Sequence, residues 1–275
     1  MFMSEMRMDQ AAGLRRMAQP QPVRVIAITS GKGGVGKTTF AALLIRTLSA
    51  EGRNVLAIDA DPDANLAAAV GIADPEGITP IAEMKSMIFE RTGAQPGTIG
   101  GFFKLNPKVD DLPDSLSARL ENIKLMRLGG VKKGGAGCIC PESTLLKALI
   151  THIVLARNEV VVMDMEAGIE HLGRGTAQAV DRLIVVVEPG RRSIDTAGHI
   201  RQLAGEIGLR NIAIVGNKIR SDKDVAFLKT NLPDFAFLGA IPYDDTLIEA
   251  DLNGASPFDV DSQAKAVVRG MIDRI

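Results

Sequence analysis

Residues 23–39 are V-R-V-I-A-I-T-S-G-K-G-G-V-G-K-T-T, and this segment indicates the fold of the chain more strongly than any other. A short run rich in β-branched residues comes first, a glycine-rich loop follows, and apolar residues at helical spacing occupy 38–50. The spacing G-x-x-x-x-G-K-[ST] is met by Gly31, Gly36, Lys37 and Thr38. We therefore predict a strand, a phosphate-binding loop and a helix, in that order.

The glycine-rich loop has the chemistry of a nucleotide site. Its glycines allow backbone conformations that aim consecutive N–H groups at phosphate oxygens, and the following helix adds its positive N-terminal end. We expect Lys37 to reach the β- and γ-phosphates and the Thr38 hydroxyl to bind Mg²⁺. The residues predicted to contact ATP or ADP here are Gly33, Gly34, Val35, Gly36, Lys37, Thr38 and Thr39.

Short apolar runs recur along the rest of the chain and predict further strands at 55–59, 123–128, 160–163, 183–187, 212–215 and 237–241. Helical patterns lie between several of them, at 142–156, 193–207 and 221–231. Alternating strands and helices predict an α/β fold: a doubly wound, mostly parallel sheet with helices on both faces. No repeat or linker interrupts this pattern, so we expect residues 23–275 to form one domain after a flexible leader at 1–22.

The composition narrows the possible partners. Apolar residues make up 46% of the chain, charged residues 24%, and the formal net charge is −1, which is typical of an ordinary soluble protein. No apolar run approaches the ~18 residues of a membrane span, and the N-terminus lacks the apolar core of a secretory signal. Lysines and arginines are scattered rather than clustered. We expect a cytoplasmic protein with no membrane partner and no nucleic-acid partner.

Carboxylates stand at the ends of two predicted strands. Asp59, Asp61 and Asp63 belong to I-D-A-D-P-D, and Asp164 ends V-V-V-M-D. A carboxylate at this place beside a phosphate-binding loop can hold Mg²⁺ through water, and we expect that role for Asp164. Acidic residues at strand ends are also common turn formers, and both roles stay open for Asp59 and Asp63.

The segment V-G-N-K-I-R at 215–220 has the pattern of a loop that recognises a base. GTPases place an aspartate three residues after such an asparagine to accept the guanine N–H groups, whereas here the donor-only side chain of Arg220 holds that position. Asn217 can pair with adenine through its amide, so ATP is the expected nucleotide. Pro242, in I-P-Y, is a further candidate for packing on the base.

Lys32 is a second lysine at the start of the loop, and G-K-G-G-V-G-K-T resembles the MinD/ParA/nitrogenase-iron-protein class of deviant Walker A ATPases. This resemblance implies that Lys32 crosses a homodimer interface to touch the partner's nucleotide, so that hydrolysis requires dimerisation. It also implies that Asp61, which precedes a proline, positions the attacking water. The predicted catalytic residues are therefore Lys32, Lys37, Asp61 and Asp164.

The only two cysteines, Cys138 and Cys140, lie in a glycine-rich segment just before a predicted helix. In an extended segment residues i and i+2 project to the same face, so both thiols can bind one metal ion. The helix N-terminus at Pro141, with Lys132 and Lys133 nearby, favours thiolate, which binds soft metals. A closed site usually needs about four ligands, and a two-fold dimer would supply the other two. An inert buried pair or a redox pair is the alternative.

A closer resemblance is carried by G-C-I-C-P-E-S-T-L-L-K-A-L at 137–149 and M-D-M-E-A-G-I-E-H-L-G-R-G-T at 163–176. With the loop, these segments resemble the CooC-type nickel-insertion ATPases. The resemblance implies nickel at the cysteines, with zinc possible at the same thiolates, and nickel-iron carbon monoxide dehydrogenase as the client. It also implies that 166–174 reports nucleotide state. Glu166, Glu170 and His171 could assist metal transfer, although a histidine on a polar loop is more often simply solvated.

Two other functions fit the same class of ATPase. Four thiolates at a dimer interface could hold an iron-sulfur cluster, as in a carrier or reductase. A positioning ATPase would instead bind membrane or DNA. The terminal residues 261–275 place Ala264, Val267, Val268, Met271 and Ile275 on roughly one helical face, and the charges opposite are mixed rather than basic, so we expect this face to pack into the core.

Overall fold

A computed structural model of the chain describes residues 25–94, 104–129, 141–156, 159–169, 177 and 180–275. Its eight strands form one sheet in the order β3-β4-β2-β5-β1-β6-β7-β8. The strands are β1 (Val25–Ser30), β2 (Val55–Ala60), β3 (Ala118–Leu120), β4 (Ile123–Arg127), β5 (Val160–Met165), β6 (Arg182–Val187), β7 (Ile212–Ile219) and β8 (Ala236–Pro242). All neighbouring pairs are parallel except β3 and β4. The predicted α/β fold with a mostly parallel sheet is confirmed.

The described helices connect these strands and cover the sheet. They are α1 (Lys37–Ala50), α2 (Leu66–Val70), α3 (Lys85–Thr92), α4 (Leu112–Leu116), α5 (Pro141–Ala156), α6 (Arg191–Glu206), α7 (Asp222–Asn231), α8 (Asp245–Leu252) and α9 (Gln263–Arg269), with short 3₁₀ turns at Ile81–Glu83 and Ile272–Arg274. None of the helices in the described ranges is long and apolar enough to cross a membrane.

The core has two layers, one on each face of the sheet. Val25 and Ala27 of β1 belong to one layer, while Ile26 and Ile28 belong to the other, as the alternation of side chains along a strand requires. The first layer includes residues of α5 and α6, and the second includes residues of α1 and α9. Because β1 is buried on both faces, its sequence is almost continuously apolar rather than alternating.

The order of the strands determines where polar side chains collect. β1 lies between β5 and β6, so the chain that leaves β1 at Ser30 enters a crevice between the two halves of the sheet. In an open α/β sheet, ligands bind outside the carboxyl ends of the strands at the point where the strand order reverses. Seven parallel strands end at this edge, and the segments that follow several of them hold the predicted site residues.

Most predicted elements differ from the observed ones by one or two residues at their ends, but three differences are larger. β7 extends to Ile219, so Asn217 and Lys218 belong to the strand rather than to a loop after it. The antiparallel edge strand β3 and the helices α2, α3, α4 and α8 were not predicted. The terminal helix ends at Arg269 instead of running to 275, while Ala264, Val268 and Met271 are buried as expected.

Candidate active site

The glycine-rich loop joins β1 to α1, as predicted. Gly34 and Gly36 have φ angles of 76° and 86°, in the left-handed region that favours glycine. A side chain at Gly31 would also be excluded, since a Cβ atom there would lie 2.4 Å from the Thr196 side chain of α6. Gly36 caps α1, whose first turn has no acidic residue and no side-chain cap. The helix N-terminus therefore keeps its N–H groups for an anion.

Lys37 lies at the centre of a buried cluster of charges. Its Nζ atom donates to Asp164 Oδ1 at 2.5 Å and lies 3.2 Å from Asp61 Oδ2. The Thr38 hydroxyl donates to the other Asp164 oxygen at 2.7 Å. The structure thus brings together four of the predicted residues from three separate segments. The adjacent oxygens of Thr38 and Asp164 are hard ligands of the kind that Mg²⁺ prefers, so the donor set fits that ion.

Asp59, on β2, is a further carboxylate of this cluster. The β2–β5 register sets it opposite Asp164, and its two carboxylate oxygens accept the N–H groups of Asp61 (3.2 Å) and Leu66 (3.0 Å). Its pKa is raised from 3.8 to about 7, mainly by burial and then by Asp164, against the lowering effect of these two N–H groups and of Lys37. Asp59 therefore holds the turn that carries Asp61.

The remaining carboxylates differ in burial. Burial also raises the pKa of Asp164, with Lys37 as the main opposing influence. Asp63 is exposed, and its own N–H donates to Asp61 Oδ1 at 3.1 Å. The question left open by the sequence is thus answered differently for the two residues: Asp59 contacts the backbone of the site, and Asp63 turns to the surface.

Lys32 lies at the surface, with a side chain that is 49% exposed. Its ammonium group pairs with Glu188, the first residue after β6, and Lys218 approaches the same carboxylate at 3.8 Å. Glu188 is positioned by a hydrogen bond from its N–H to Ser193 Oγ at 3.1 Å. Sequence reasoning missed Glu188, because no local pattern connects it with the loop.

Two residues of β7 hold the backbone of the loop. Asn217 Nδ2 donates to the Val35 carbonyl at 2.7 Å, and Lys218 Nζ donates to the Gly34 carbonyl at 2.6 Å. Asn217, the predicted adenine contact, is therefore also part of the loop's support. Pro242 ends β8 opposite Ile219, in the same region. The contribution of Lys218 was not predicted.

Thr29, on β1, connects the loop strand to the segment after β5. Its hydroxyl donates to the Gly168 carbonyl at 2.6 Å and accepts the Gly168 N–H at 3.1 Å. This segment begins the region expected to report nucleotide state. Sequence reasoning did not identify Thr29, because in the sequence it is only a polar residue near the end of a predicted strand.

The predicted thiolate site falls on Cys138 and Cys140, which lie outside the described residues, as do Glu170 and His171. Within the described ranges, no group of three or more histidine, cysteine, aspartate or glutamate side chains could hold a metal ion. The chain before the cysteines is described as far as Gly129, where the preceding Leu128 donates its N–H to the Asp59 carbonyl at 2.8 Å. The chain therefore leaves the described part of the sheet near the carboxyl ends of β4 and β2, where Asp59 lies.

Comparisons with known proteins agree with this geometry. A family model described as the CobQ/CobB/MinD/ParA nucleotide binding domain matches residues 26–258. The chain is 45% identical to the carbon monoxide dehydrogenase accessory protein CooC of Rhodospirillum rubrum, over 91% of this chain and 97% of that protein. It is 43% identical to an uncharacterised ATP-binding protein of Methanocaldococcus jannaschii, over 91% of this chain and 96% of that one.

Among solved structures, the septum site-determining protein MinD of Pyrococcus horikoshii, complexed with Mg-ADP, superposes with a TM-score of 0.64. The match covers 92% of this chain and 95% of that chain at 21% identity. At this level of identity the likeness is one of fold.

Proposed function

Because this chain belongs to the CobQ/CobB/MinD/ParA nucleotide-binding family, and within it to the relatives of CooC, we propose that it is an ATP-dependent metallochaperone for nickel. Membership of that family makes it an ATPase with ATP or ADP and Mg²⁺ as ligands, and both resemblances stated from the sequence are confirmed. The proposal adds the cargo, the client and the dimer. Nickel is held by Cys138 and Cys140 across a homodimer and is inserted into nickel-iron carbon monoxide dehydrogenase.

The observation that carries the choice of client is the 45% identity to an accessory protein of carbon monoxide dehydrogenase, which extends over 91% of this chain. The two cysteines carry the choice of cargo. Thiolates are soft ligands that suit nickel and zinc ions, whereas Mg²⁺ is a hard ion that prefers oxygen. The chain thus has separate ligand sets for its two metals.

In the nucleotide step, Lys37 exchanges carboxylate partners for phosphate partners. It now binds the carboxylates of Asp164 and Asp61 in a buried setting, and ATP would offer it the β- and γ-phosphates instead. Mg²⁺ held by Thr38 and, through water, by Asp164 would neutralise charge that develops on the phosphates. Asp61, released from the lysine, would orient the attacking water. The closed turn held by Asp59 keeps Asp61 near that position.

Dimerisation is proposed from the position of Lys32. Lys32 belongs to the phosphate loop, and its side chain lies at the surface, where it can reach a second chain that docks against this edge of the sheet. To do so it must exchange Glu188 of its own chain for the nucleotide of the partner. The exchange would be favourable only when ATP is bound, because a triphosphate carries more negative charge than one carboxylate.

The thiolates and the nucleotide are coupled through this dimer. Two cysteines from each chain give the four ligands of a closed site, so a complete metal site exists only in the dimer. If ATP and nickel both prefer the dimer, then each tightens the binding of the other by the same factor. Hydrolysis would weaken the dimer and open the thiolate site for delivery.

Equilibrium dialysis with nickel tests this function, using the intact chain and the Cys138→Ala/Cys140→Ala variant. We expect the intact chain to bind nickel more tightly with a non-hydrolysed ATP analogue than without it, and the variant to retain nucleotide binding and lose nickel. Equal nickel binding by both proteins would refute the proposal. Anaerobic absorption spectra of the same samples distinguish the iron-sulfur alternative, which predicts a broad band near ~400 nm with stoichiometric iron and sulfide.

A further inference from the structure

Arg220 and Tyr243 lie side by side just beyond β7 and β8. Tyr243 donates its N–H to the Ile219 carbonyl at 2.8 Å, which continues the pairing of the two strands. The guanidinium carbon of Arg220 lies 3.8 Å from the centroid of the Tyr243 ring, close enough for stacking with a cation–π contribution. The backbone N–H of Arg220 donates to Asp224 Oδ2 at 2.8 Å. Arg220 is therefore held at its backbone and at its head group.

The position of this pair relative to the loop indicates which end of a nucleotide lies near it. The carboxylates around Lys37 come from β2 and β5, on one side of β1. Lys37 binds the terminal phosphates, so the γ-phosphate lies toward that side. The base must then lie toward the other side of β1, where Asn217 and Lys218 of β7 hold the loop backbone. Arg220 follows Lys218 after one intervening residue, Ile219.

We infer that Arg220, stacked on Tyr243, determines the choice between adenine and guanine. The inference deepens the nucleotide part of the proposed function and does not depend on the thiolate site. Asn217 gives one hydrogen of its amide to Val35, which leaves its Oδ1 atom and second N–H for the N6/N7 edge of adenine. The adjacent edge of adenine carries N1, an acceptor, which suits the guanidinium group.

Guanine presents the opposite chemistry at that edge. Its N1–H and N2 amino groups are donors, and the guanidinium group has only donors, so a guanine base would leave both partners unsatisfied. Stacking on Tyr243 uses the face of the Arg220 guanidinium, whereas its N–H groups lie in the plane of the group and point away from the ring. An arginine can bind the O6/N7 edge of guanine, but here Asn217 takes that edge.

The inference is tested by replacing the donor with an acceptor. In the variant Arg220→Asp, the carboxylate can accept both guanine donors, while Asn217 and Lys218 keep their contacts with the loop. Equilibrium titrations of metal-free protein with ADP and with GDP measure the preference without any contribution from hydrolysis. We expect the unaltered chain to favour ADP and the variant to shift the ratio of the two dissociation constants toward GDP by about 10- to 100-fold.

Two further variants separate base recognition from a general effect on folding. Arg220→Gln, which keeps a donor and adds an acceptor, should weaken the preference without reversing it. Arg191→Asp is the matched control, since Arg191 also lies over an aromatic ring, with its guanidinium 5.8 Å from the Phe227 centroid, but belongs to α6. It should leave the ratio unchanged.

An unchanged ratio in a folded Arg220→Asp protein would overturn the inference, and so would an equal shift in Arg191→Asp. Thermal melting of each variant establishes that it is folded. Because no nickel is present, either result leaves the metal-delivery proposal standing, and a failure of nickel binding would leave the choice of base standing.

Discussion

At the scale of single residues, Lys32 is the side chain on which the proposed dimer depends. It belongs to the phosphate loop and yet binds Glu188, a residue of another strand end, rather than the buried carboxylates around Lys37. An exposed ion pair of this kind contributes only ~0.2–1 kcal/mol, so it can exchange for a stronger anion. This makes Lys32 suited to a contact that forms and breaks during turnover.

Replacing Lys32 by alanine should separate nucleotide binding from hydrolysis. We expect kcat to fall by about 10²–10³-fold because a cation that stabilises the developing phosphate charge is lost, while ADP affinity is unchanged. Steady-state ATPase assays and ADP titrations measure the two effects. Lys85→Ala, at an exposed lysine of α3, is the control. A Lys32→Ala protein with full turnover would show that Lys32 does not act between chains.

The variant Glu188→Gln should have the opposite effect. Removing the carboxylate frees Lys32 in the single chain, so less free energy is needed to move it to a partner. A two-fold dimer contains two such exchanges, each worth at most ~1 kcal/mol. We therefore expect half-maximal ATPase activity at an up to about 25-fold lower protein concentration. The concentration dependence of turnover measures this shift. The double variant with Lys32→Ala should behave like Lys32→Ala alone, and an unchanged midpoint in the single variant would contradict the exchange.

Asp59 should make the stability of the nucleotide-free chain depend on pH. Its pKa is 3.8 when unfolded and about 7 when folded, so between these values the folded chain binds more protons and stability falls as the pH rises. Asp59→Asn removes this dependence. Calorimetry without Mg²⁺ measures the difference in melting temperature between Asp59→Asn and the unaltered chain. We expect this difference to favour the variant by about 3–8 °C more at pH 8 than at pH 5. Parallel pH profiles would show that Asp59 ionises normally.

At the scale of elements, the loop depends on a close approach by α6. A Cβ atom at Gly31 would lie 2.4 Å from both the Cβ and Cγ2 atoms of Thr196. Gly31→Ala should therefore push α6 from the loop and weaken ADP binding by roughly tenfold or more, since overpacking commonly costs ~1–3 kcal/mol. Titration of the double variant Gly31→Ala/Thr196→Gly provides the check. We expect it to recover most of the affinity; failure to recover would mean that Gly31 is needed for another reason.

Sequence alone predicts those elements whose signal is local. Lys37 and Thr38 lie within one motif, and β1, β2 and β5 are continuous apolar runs, so their positions follow from pattern and spacing. The helices α2 and α4 have only five residues each and no apolar period to reveal them. The strand β3 has three residues and is only partly buried, so it lacks the pattern of a core strand.

The parts of the site that sequence does not predict are contacts between strands that lie far apart along the chain. Lys218 reaches Gly34 across 184 residues, and Thr29 reaches Gly168 across 139. Both contacts depend on which strands are neighbours, and alternating strands and helices do not specify that order. Asp59 is a second example. The sequence places it at the end of a strand, but its raised pKa depends on burial beside Asp164, which local sequence does not reveal.

At the scale of the whole molecule, the sheet divides the nucleotide site into two halves around β1. The carboxylates expected to act in hydrolysis come from β2 and β5, and the groups expected near the base come from β7 and β8. The segment that carries Cys138 and Cys140 begins two residues after β4, on the hydrolytic half. A change at the expected position of the γ-phosphate would therefore be close to the start of this segment, which favours the proposed coupling between ATP and nickel.

The central claim is that ATP assembles a nickel site from two chains, and native mass spectrometry tests it most directly. Spectra would be recorded for the chain with nickel, with and without a non-hydrolysed ATP analogue. The account predicts that the analogue yields a dimer containing one nickel ion for every two chains, and that the Cys138→Ala/Cys140→Ala variant forms the dimer without nickel. Nickel bound to single chains with or without the analogue, or retained by the variant, would contradict it.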